Sequence, residues 1–261
     1  MRMLASIPKG FFIGNLEIRF YGIIMGVSIV LAILFAYKNM PKRGLKSDDI
    51  IDLALIAVPL GIIGARVFYV LFSGYDYTFV EALKIWEGGL SIIGAVTFGA
   101  LGVGIGCLIK KINFLKVADC VVPGLLFAQA LGRWGNFFNQ EAYGPVVNFN
   151  FFPLSTYIEA TGCYHAATFF YESAWNLIGF VVMMMLLKKQ SSKIKPGFIM
   201  CVYFMWYGFG RFFIEMLRQD PLIVFGSLRF SQLMAGLMFA IGLVGLIVIY
   251  LIGKKAEKKN V

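Results

Sequence analysis

Seven long apolar runs constrain this chain more than any other feature. They cover residues 23–37, 50–72, 90–109, 117–131, 168–187, 198–213 and 230–252. A helix needs about 20 mostly apolar residues to cross about 30 Å of hydrocarbon. Several runs reach that length alone, and the fourth and sixth reach it if an Arg or Glu is included. Charged residues make up only 15% of the chain, against about 25% in soluble domains. The pattern predicts an all-α polytopic membrane protein with about seven transmembrane helices.

Basic residues cluster after alternate apolar runs. Four Lys or Arg lie in residues 38–46, three in 110–116, four in 188–195 and four in 254–259, out of 24 in the chain. Because such clusters stay on the cytoplasmic side, one alternation fits them all: N-terminus outside and C-terminus cytoplasmic. The clusters are short and contain no interleaved aromatic residues, so we expect anionic membrane lipids rather than nucleic acid as partners.

The segments between the runs predict one membrane domain over residues 1–261. Residues 1–20 have scattered charges and no small-residue cleavage site, so the first run is predicted to be a retained span. The largest external segment, residues 137–167, is rich in Pro, Gly and Asn and predicts a small external cap built from turns. Gly99, Gly102, Gly104 and Gly106 lie in the third run, where small residues indicate close helix packing.

Six ionisable residues lie in or beside the apolar runs, where each costs at least about 2.5–3.5 kcal/mol near the bilayer centre. They are Arg66, Arg133, Glu141, Glu172, Arg211 and Glu215. The predicted topology places them at one depth, towards the outside. Arg211 and Glu215 are four residues apart and would face the same way on a helix. Two interpretations remain open: an internal ion pair that holds helices together, and a site where Arg grips the phosphate of an anionic headgroup.

The densest polar stretch is Gly132-Arg133-Trp134-Gly135-Asn136-Phe137-Phe138-Asn139-Gln140-Glu141-Ala142-Tyr143-Gly144. It resembles the signature of the prolipoprotein diacylglyceryl transferases, Gly-Arg-x-Gly-Asn-Phe-x-Asn-x-Glu-x-x-Gly, at every fixed position. Further stretches that are similar to this family follow in order and cover nearly the whole chain: Tyr21-Gly22, Gly64 to Tyr69, Trp86 to Ser91, Thr168 to Ser173, Tyr207-Gly208 with Arg211, Glu215, Arg218 and Asp220, and Ser231-Gln232.

The resemblance implies a seven-span enzyme of the bacterial cytoplasmic membrane, with phosphatidylglycerol as donor and a prolipoprotein signal peptide as acceptor. The lipobox cysteine sulfur would attack the glycerol carbon that carries the phosphate ester, form a thioether and release glycerol phosphate. The transferred group arrives on a lipid, so no cofactor is implied. The four cysteines form no Cys-x-x-Cys pair and His165 is the only histidine, so no metal site is expected.

The physical demands of the reaction that the resemblance implies suggest roles for residues. Arg133 and Arg211 are expected to stabilise the negative leaving group. Glu141 or Glu215 could accept the thiol proton, or could instead orient the arginines. The expected substrate-binding residues are Tyr21, Arg66, Asn136, Asn139, Gly144 and Tyr207. For the two asparagines, turn geometry is an equal alternative, and for Tyr21 the alternative is interfacial anchoring.

Two positions depart from the family pattern. The family often has a histidine, considered as a catalytic base, where this chain has Ile93, and a second histidine where it has Ala166, next to His165. The resemblance therefore supports no histidine base at position 93.

Two other functions are alternatives. A transporter would need polar residues at the membrane midplane and on both sides of it. A non-enzymatic lipid-binding protein would not need Glu141 eight residues after Arg133. The signature favours the transferase over both.

Overall fold

The computed structural model describes residues 8–14, 16–189, 195–219, 223–225 and 228–259. Asp220, one of the residues that carry the family resemblance, lies outside them. Seven long helices and one short helix run along the described chain. They are α1 (Phe20–Asn39), α2 (Asp49–Phe72), the short α3 (Phe79–Leu83), α4 (Ile92–Lys110), α5 (Phe114–Asn139), α6 (Thr168–Lys189), α7 (Phe198–Met216) and α8 (Phe230–Lys259).

The helices confirm the predicted all-α membrane class. Within the described residues, six of them are long and apolar enough to cross a membrane: α1, α2, α4, α5, α6 and α8. The remaining long helix, α7, has 19 residues and includes Arg211 and Glu215. Its place as a seventh span stays a prediction, as does the orientation of the chain.

Helix α5 extends further than its apolar run predicted. The run ends at residue 131, but the helix continues to Asn139. Arg133 and Asn136 therefore lie on a helix, and the turns of the cap begin only after Asn139. Helix formation continues because the residues that follow the run include none that breaks a helix outright, although Gly132 and Gly135 lower the local propensity.

The segments predicted to be external are residues 1–20, 73–89, 137–167 (the cap) and 216–228. Short helices or strands that the sequence did not predict lie in or at the end of each. The first holds a hairpin of β1 (Gly10–Ile13) and β2 (Leu16–Arg19). The cap holds β3 (Ser155–Ile158) paired antiparallel with β4 (Cys163–Ala166), with Ser155 opposite Ala166. The other two hold α3 and the pair β5 (Ile223–Phe225) and β6 (Leu228–Arg229).

The chain divides into two compact units, Met1–Phe35 with Ala118–Val261, and Ala36–Val117. In the second unit α2 and α4 pack closely through glycines. A Cβ on Gly102 would lie 2.8 Å from the Ala57 Cα, and one on Gly94 would lie 2.1 Å from the Gly64 carbonyl oxygen. The predicted role of Gly102 in helix packing is thereby confirmed. A Cβ on Gly104 would meet no other part of the described chain within 4 Å, so Gly104 does not share that role.

Arg66 organises the loop between α2 and α4. Its guanidinium donates to the carbonyl oxygens of Glu81 (2.7 Å), Ala82 (2.9 Å), Gly88 (2.7 Å) and Gly89 (3.1 Å). Arg66 is only 7% exposed, so these bonds replace the water that its charge would otherwise bind. Two stretches that carry the family resemblance, around Gly64 and around Gly88, are joined by this one side chain.

In the first unit, α5, α6 and α7 form a core through Val122, Leu126, Met183, Leu187, Ile199 and Tyr203. Two indoles fix α6 against α7. The Trp175 and Trp206 rings stack with centroids 4.4 Å apart, and each indole N–H donates to the backbone carbonyl of the other residue. Gly179 and Gly210 leave the space for these rings. The result is a fixed rotational setting for α6.

Candidate active site

The signature stretch surrounds the C-terminal end of α5. The Glu141 amide donates to the Asn136 carbonyl (3.1 Å) and the Gln140 amide donates to the Phe137 carbonyl (3.2 Å). With Gln140 in the left-handed region at φ +53°, this is the Schellman arrangement that ends a helix. The chain reverses sharply there, and Glu141 returns towards the last turn of the helix.

That reversal brings Glu141 against two asparagines of the helix. Its Oε1 accepts from the side-chain nitrogens of Asn136 (2.8 Å) and Asn139 (3.3 Å). Asn136 also accepts a long bond from Arg133 at 3.4 Å. Glu141 is exposed, unlike the other acidic residues of the site. Hydrogen bonds therefore connect four polar residues of the signature: Arg133, Asn136, Asn139 and Glu141.

Glu172 of α6 lies at the centre of the site and links two arginines from different helices. Its Oε1 is 2.6 Å from Nη2 of Arg133, and its Oε2 is 2.8 Å from Nη1 of Arg211. Glu172 is 3% exposed, so its charge depends on these two partners. A carboxylate of α6 therefore links an arginine of α5 to an arginine of α7.

Glu215 holds Arg211 from the other side. Its Oε2 is 2.7 Å from Nη2 of Arg211, which confirms that these residues face the same way, and 3.6 Å from Nη1 of Arg218. Arg229 donates to the backbone carbonyl of Glu215. Glu215 is 1% exposed and engaged by two guanidinium groups. Its geometry suits the orientation of Arg211.

Two tyrosines border the arginines. Tyr207 lies within electrostatic range of Arg133, Arg211 and Glu172. Tyr21 lies within electrostatic range of Arg133 and Glu141. The ring of Tyr21 occupies the space in which a side chain at position 135 would lie, since a Cβ on Gly135 would be 2.3 Å from it. The glycine of the signature therefore lets Tyr21 approach α5.

Gly144 and His165 hold the cap together. The Gly144 amide donates to the Ala166 carbonyl at 2.9 Å, and the Gly144 carbonyl accepts from Nδ1 of His165 at 2.8 Å. The other ring nitrogen of His165 bonds to the Thr161 hydroxyl at 2.8 Å, and the ring is buried. A Cβ on Gly144 would lie 3.0 to 3.1 Å from atoms of Ala166 and Thr168. Both residues fit a structural role in the turn after the signature.

The structure thus brings together Arg133, Glu141, Arg211, Glu215, Tyr21, Asn136, Asn139 and Tyr207 within the first unit, with Gly144 in the adjoining turn. Arg66 belongs to the second unit, where backbone carbonyls engage its guanidinium. The roles of all ten residues in binding and catalysis stay predictions.

The sequence reading left one central residue out of the predicted site. Glu172 was recognised as a charge at the start of an apolar run, but not as a site residue. The signal available in the sequence was an acidic residue inside an apolar run. Ser231 was also left out, although it belongs to the resemblance, and it accepts a long bond from Arg211 at 3.4 Å.

Comparisons with known proteins support the family resemblance of the signature. Residues 8–248 match the family model described as prolipoprotein diacylglyceryl transferase. The chain is 41% identical over 245 residues to a protein of Streptococcus agalactiae, covering 92% of this chain and 95% of the relative. It is 43% identical over 250 residues to one of Streptococcus mutans (92% and 94%), and 39% identical over 250 residues to one of Listeria innocua (92% and 88%). All three are named phosphatidylglycerol–prolipoprotein diacylglyceryl transferase.

Proposed function

The chain belongs to the prolipoprotein diacylglyceryl transferase family, and from that premise we propose that it transfers the diacylglyceryl group of phosphatidylglycerol to the lipobox cysteine of a prolipoprotein signal peptide. This is the first step of lipoprotein maturation. The bacterial relatives and the apolar helices support the bacterial cytoplasmic membrane as its location.

The observation that carries the proposal is the bridge from Arg133 through Glu172 to Arg211. Two guanidinium groups from different helices converge on one pair of carboxylate oxygens. A phosphodiester offers a similar pair of charged oxygens, and guanidinium groups bind both kinds in the same planar manner. The site therefore holds its arginines ready for a lipid phosphate, with Glu172 as their counter-ion.

The reaction needs positive charge where the leaving group forms. The cysteine sulfur forms a bond to the glycerol carbon, and the bond from that carbon to the phosphate oxygen breaks. The oxygen keeps the electron pair and leaves as glycerol phosphate. Arg133 and Arg211 would stabilise the additional negative charge on the phosphate as it forms. Donors of this kind contribute about 10²–10³-fold to the rate.

The thiol proton also needs an acceptor, because the thiolate is the nucleophile. Glu141 fits this role better than Glu215. Glu141 is exposed, and among the described residues its carboxylate accepts from the neutral side-chain amides of Asn136 and Asn139, whereas Glu215 is buried between Arg211 and Arg218. Glu215 is thus already engaged by two guanidinium groups and closed to solvent, whereas Glu141 is open to it. We assign the base to Glu141, and the orientation of Arg211 to Glu215.

The remaining residues would position the substrates. Tyr21 and Tyr207 border the arginines, and their hydroxyls could bond to the headgroup. Asn136 and Asn139 hold Glu141 and could also donate to the phosphate. Gly144 would act through the turn that follows Glu141. Arg66 would contribute to binding through the loop that its guanidinium holds.

The test is transfer by purified protein from phosphatidylglycerol to a lipobox peptide, with the thioether-linked product measured by mass. Arg133→Ala should lower kcat/KM about 10²–10³-fold, while Lys116→Ala on the same helix should match the native protein. No product from folded native protein that binds the lipid would overturn the proposal. The arginines would then serve lipid binding without chemistry.

A further inference from the structure

A second polar layer lies one helical turn from the ion-paired residues. On α5, Gln129 lies four residues before Arg133. On α6, Asn176 lies four residues after Glu172. On α7, Tyr203 lies four residues before Tyr207. Residues four apart share a helix face, about 6 Å along the axis. We call Gln129, Asn176 and Tyr203 the amide layer.

A contact between α5 and α7 joins Gln129 to Tyr203, and the register of α6 against α5 puts Asn176 at the same depth. The Gln129 side-chain nitrogen donates to the Tyr203 hydroxyl at 2.9 Å. The Tyr203 and Tyr207 rings stack with centroids 5.9 Å apart, which joins the two layers. Helices α5 and α6 are antiparallel partners, since Glu172 pairs with Arg133 and Ser173 donates to the Ala130 carbonyl at 2.8 Å. The same register sets Asn176 opposite Gln129.

Three buried atoms of the amide layer have no hydrogen-bond partner among the described residues. They are Oδ1 and Nδ2 of Asn176 and Oε1 of Gln129. Asn176 is completely buried. An unpaired buried amide costs about 1–3 kcal/mol, so native proteins rarely leave one without a ligand or ordered water. Two acceptors and one donor are thus unpaired at this depth, and none of the three side chains is charged.

We propose that the amide layer binds the free hydroxyls of the glycerol headgroup of phosphatidylglycerol and so selects this donor. The proposal rests on the proposed function. With the phosphate at Arg133 and Arg211, a three-carbon glycerol spans a distance of the order of one helical turn. Amide oxygens accept from hydroxyls and the amide N–H donates to them. An ammonium headgroup would find no carboxylate in this layer and would lose its hydration without compensation.

The test compares two donors with the same phosphodiester charge. Phosphatidylglycerol has the two hydroxyls, and phosphatidylethanol has none. We expect the native protein to use phosphatidylglycerol with at least about tenfold higher kcat/KM, the discrimination expected when a site loses hydrogen bonds to a missing hydroxyl. Asn176→Leu should lower kcat/KM for phosphatidylglycerol about tenfold and change it less than about twofold for phosphatidylethanol. Leu177→Ala, an exposed neighbour on α6, should alter neither.

Three outcomes would overturn this inference. They are a native protein without preference between the donors, an equal loss for both donors in Asn176→Leu, and a preference that survives in that variant. An equal loss would mean that the layer holds only a structural water. If Asn176→Leu fails to fold, the two donors are compared with Gln129→Met instead, and the same outcomes support or overturn the inference. Failure of the native protein to use either donor would instead contradict the proposed function.

Discussion

Glu172 shares its two carboxylate oxygens between two arginines, with Oε1 2.6 Å from Arg133 and Oε2 2.8 Å from Arg211. The carboxylate is almost fully buried, while the side chains of the arginines are 22% and 11% exposed. Access to the pair therefore comes from the arginine side. A phosphate that approaches would meet the outer edges of both guanidinium groups while Glu172 continues to orient them.

Replacement of Glu172 by Gln should reduce both stability and turnover. Removing one charge from a buried pair costs about 3–5 kcal/mol, because the remaining charges are left uncompensated. We expect a lower midpoint of thermal unfolding in detergent and a kcat reduced at least about tenfold, as the arginines lose their common orientation. Glu172→Asp keeps the charge but cannot reach both arginines, so its unfolding midpoint and its kcat should lie between those of the native protein and of Glu172→Gln. Native-like kcat in Glu172→Gln would contradict a central role for this bridge.

Glu141→Gln should expose the need for a base through its pH dependence. General bases contribute about 10²–10⁴-fold, so the variant should be slower by that order near neutral pH. Its rate should rise about tenfold per pH unit until the peptide thiol ionises near its pKa of about 8.5, because hydroxide and solvent then supply the thiolate. The native profile should be flatter over the same range.

The matched control for that profile is Glu159→Gln, an exposed acid in the turn of the cap hairpin. It should follow the native curve. Parallel native and Glu141→Gln profiles would remove Glu141 as the base and leave it as a partner of Asn136 and Asn139.

The sequence predicted the pair of Arg211 and Glu215, because a spacing of four fixes the relation of two side chains on one helix. It did not predict the contact of Glu172 with Arg133 and Arg211. That contact depends on how α6 is rotated against α5 and α7, and the stacked indoles of Trp175 and Trp206 determine the rotation. Local periodicity contains no information on such packing between helices.

Arg66 shows a similar limit. Its charge in an apolar run predicted a site near the outer face, but its partners are backbone carbonyls. Every residue has a carbonyl, so no residue pattern indicates that these are the acceptors. The hairpins of the first segment and the cap escaped prediction for another reason: strands of four residues are too short for a reliable alternation of apolar and polar positions.

Arg66→Ala should therefore act on stability before it acts on affinity for the donor. The loss of four charge-assisted bonds from the buried Arg66 side chain leaves the loop without the group that holds it, which costs several kcal/mol in total. We expect a lower unfolding midpoint and faster proteolysis within residues 73–89. Arg66→Lys should recover only part of the loss, since an ammonium cannot reproduce the planar fork. A raised KM for phosphatidylglycerol with unchanged unfolding would favour direct binding of the lipid.

Two glycines of α4 offer a matched test of helix packing in the second unit. A Cβ on Gly102 would lie 2.8 Å from the Cα of Ala57 and 3.3 Å from its nitrogen, and backbone atoms cannot yield as a flexible side chain can. Gly102→Ala should separate α2 from α4 and cost about 1–3 kcal/mol, as overpacking does. Gly104 has open space around it, so Gly104→Ala should be neutral or slightly stabilising through helix propensity. The measurement is the thermal unfolding midpoint of both variants in the same detergent. Equal midpoints would mean that α2 and α4 tolerate a wider separation than their glycines suggest.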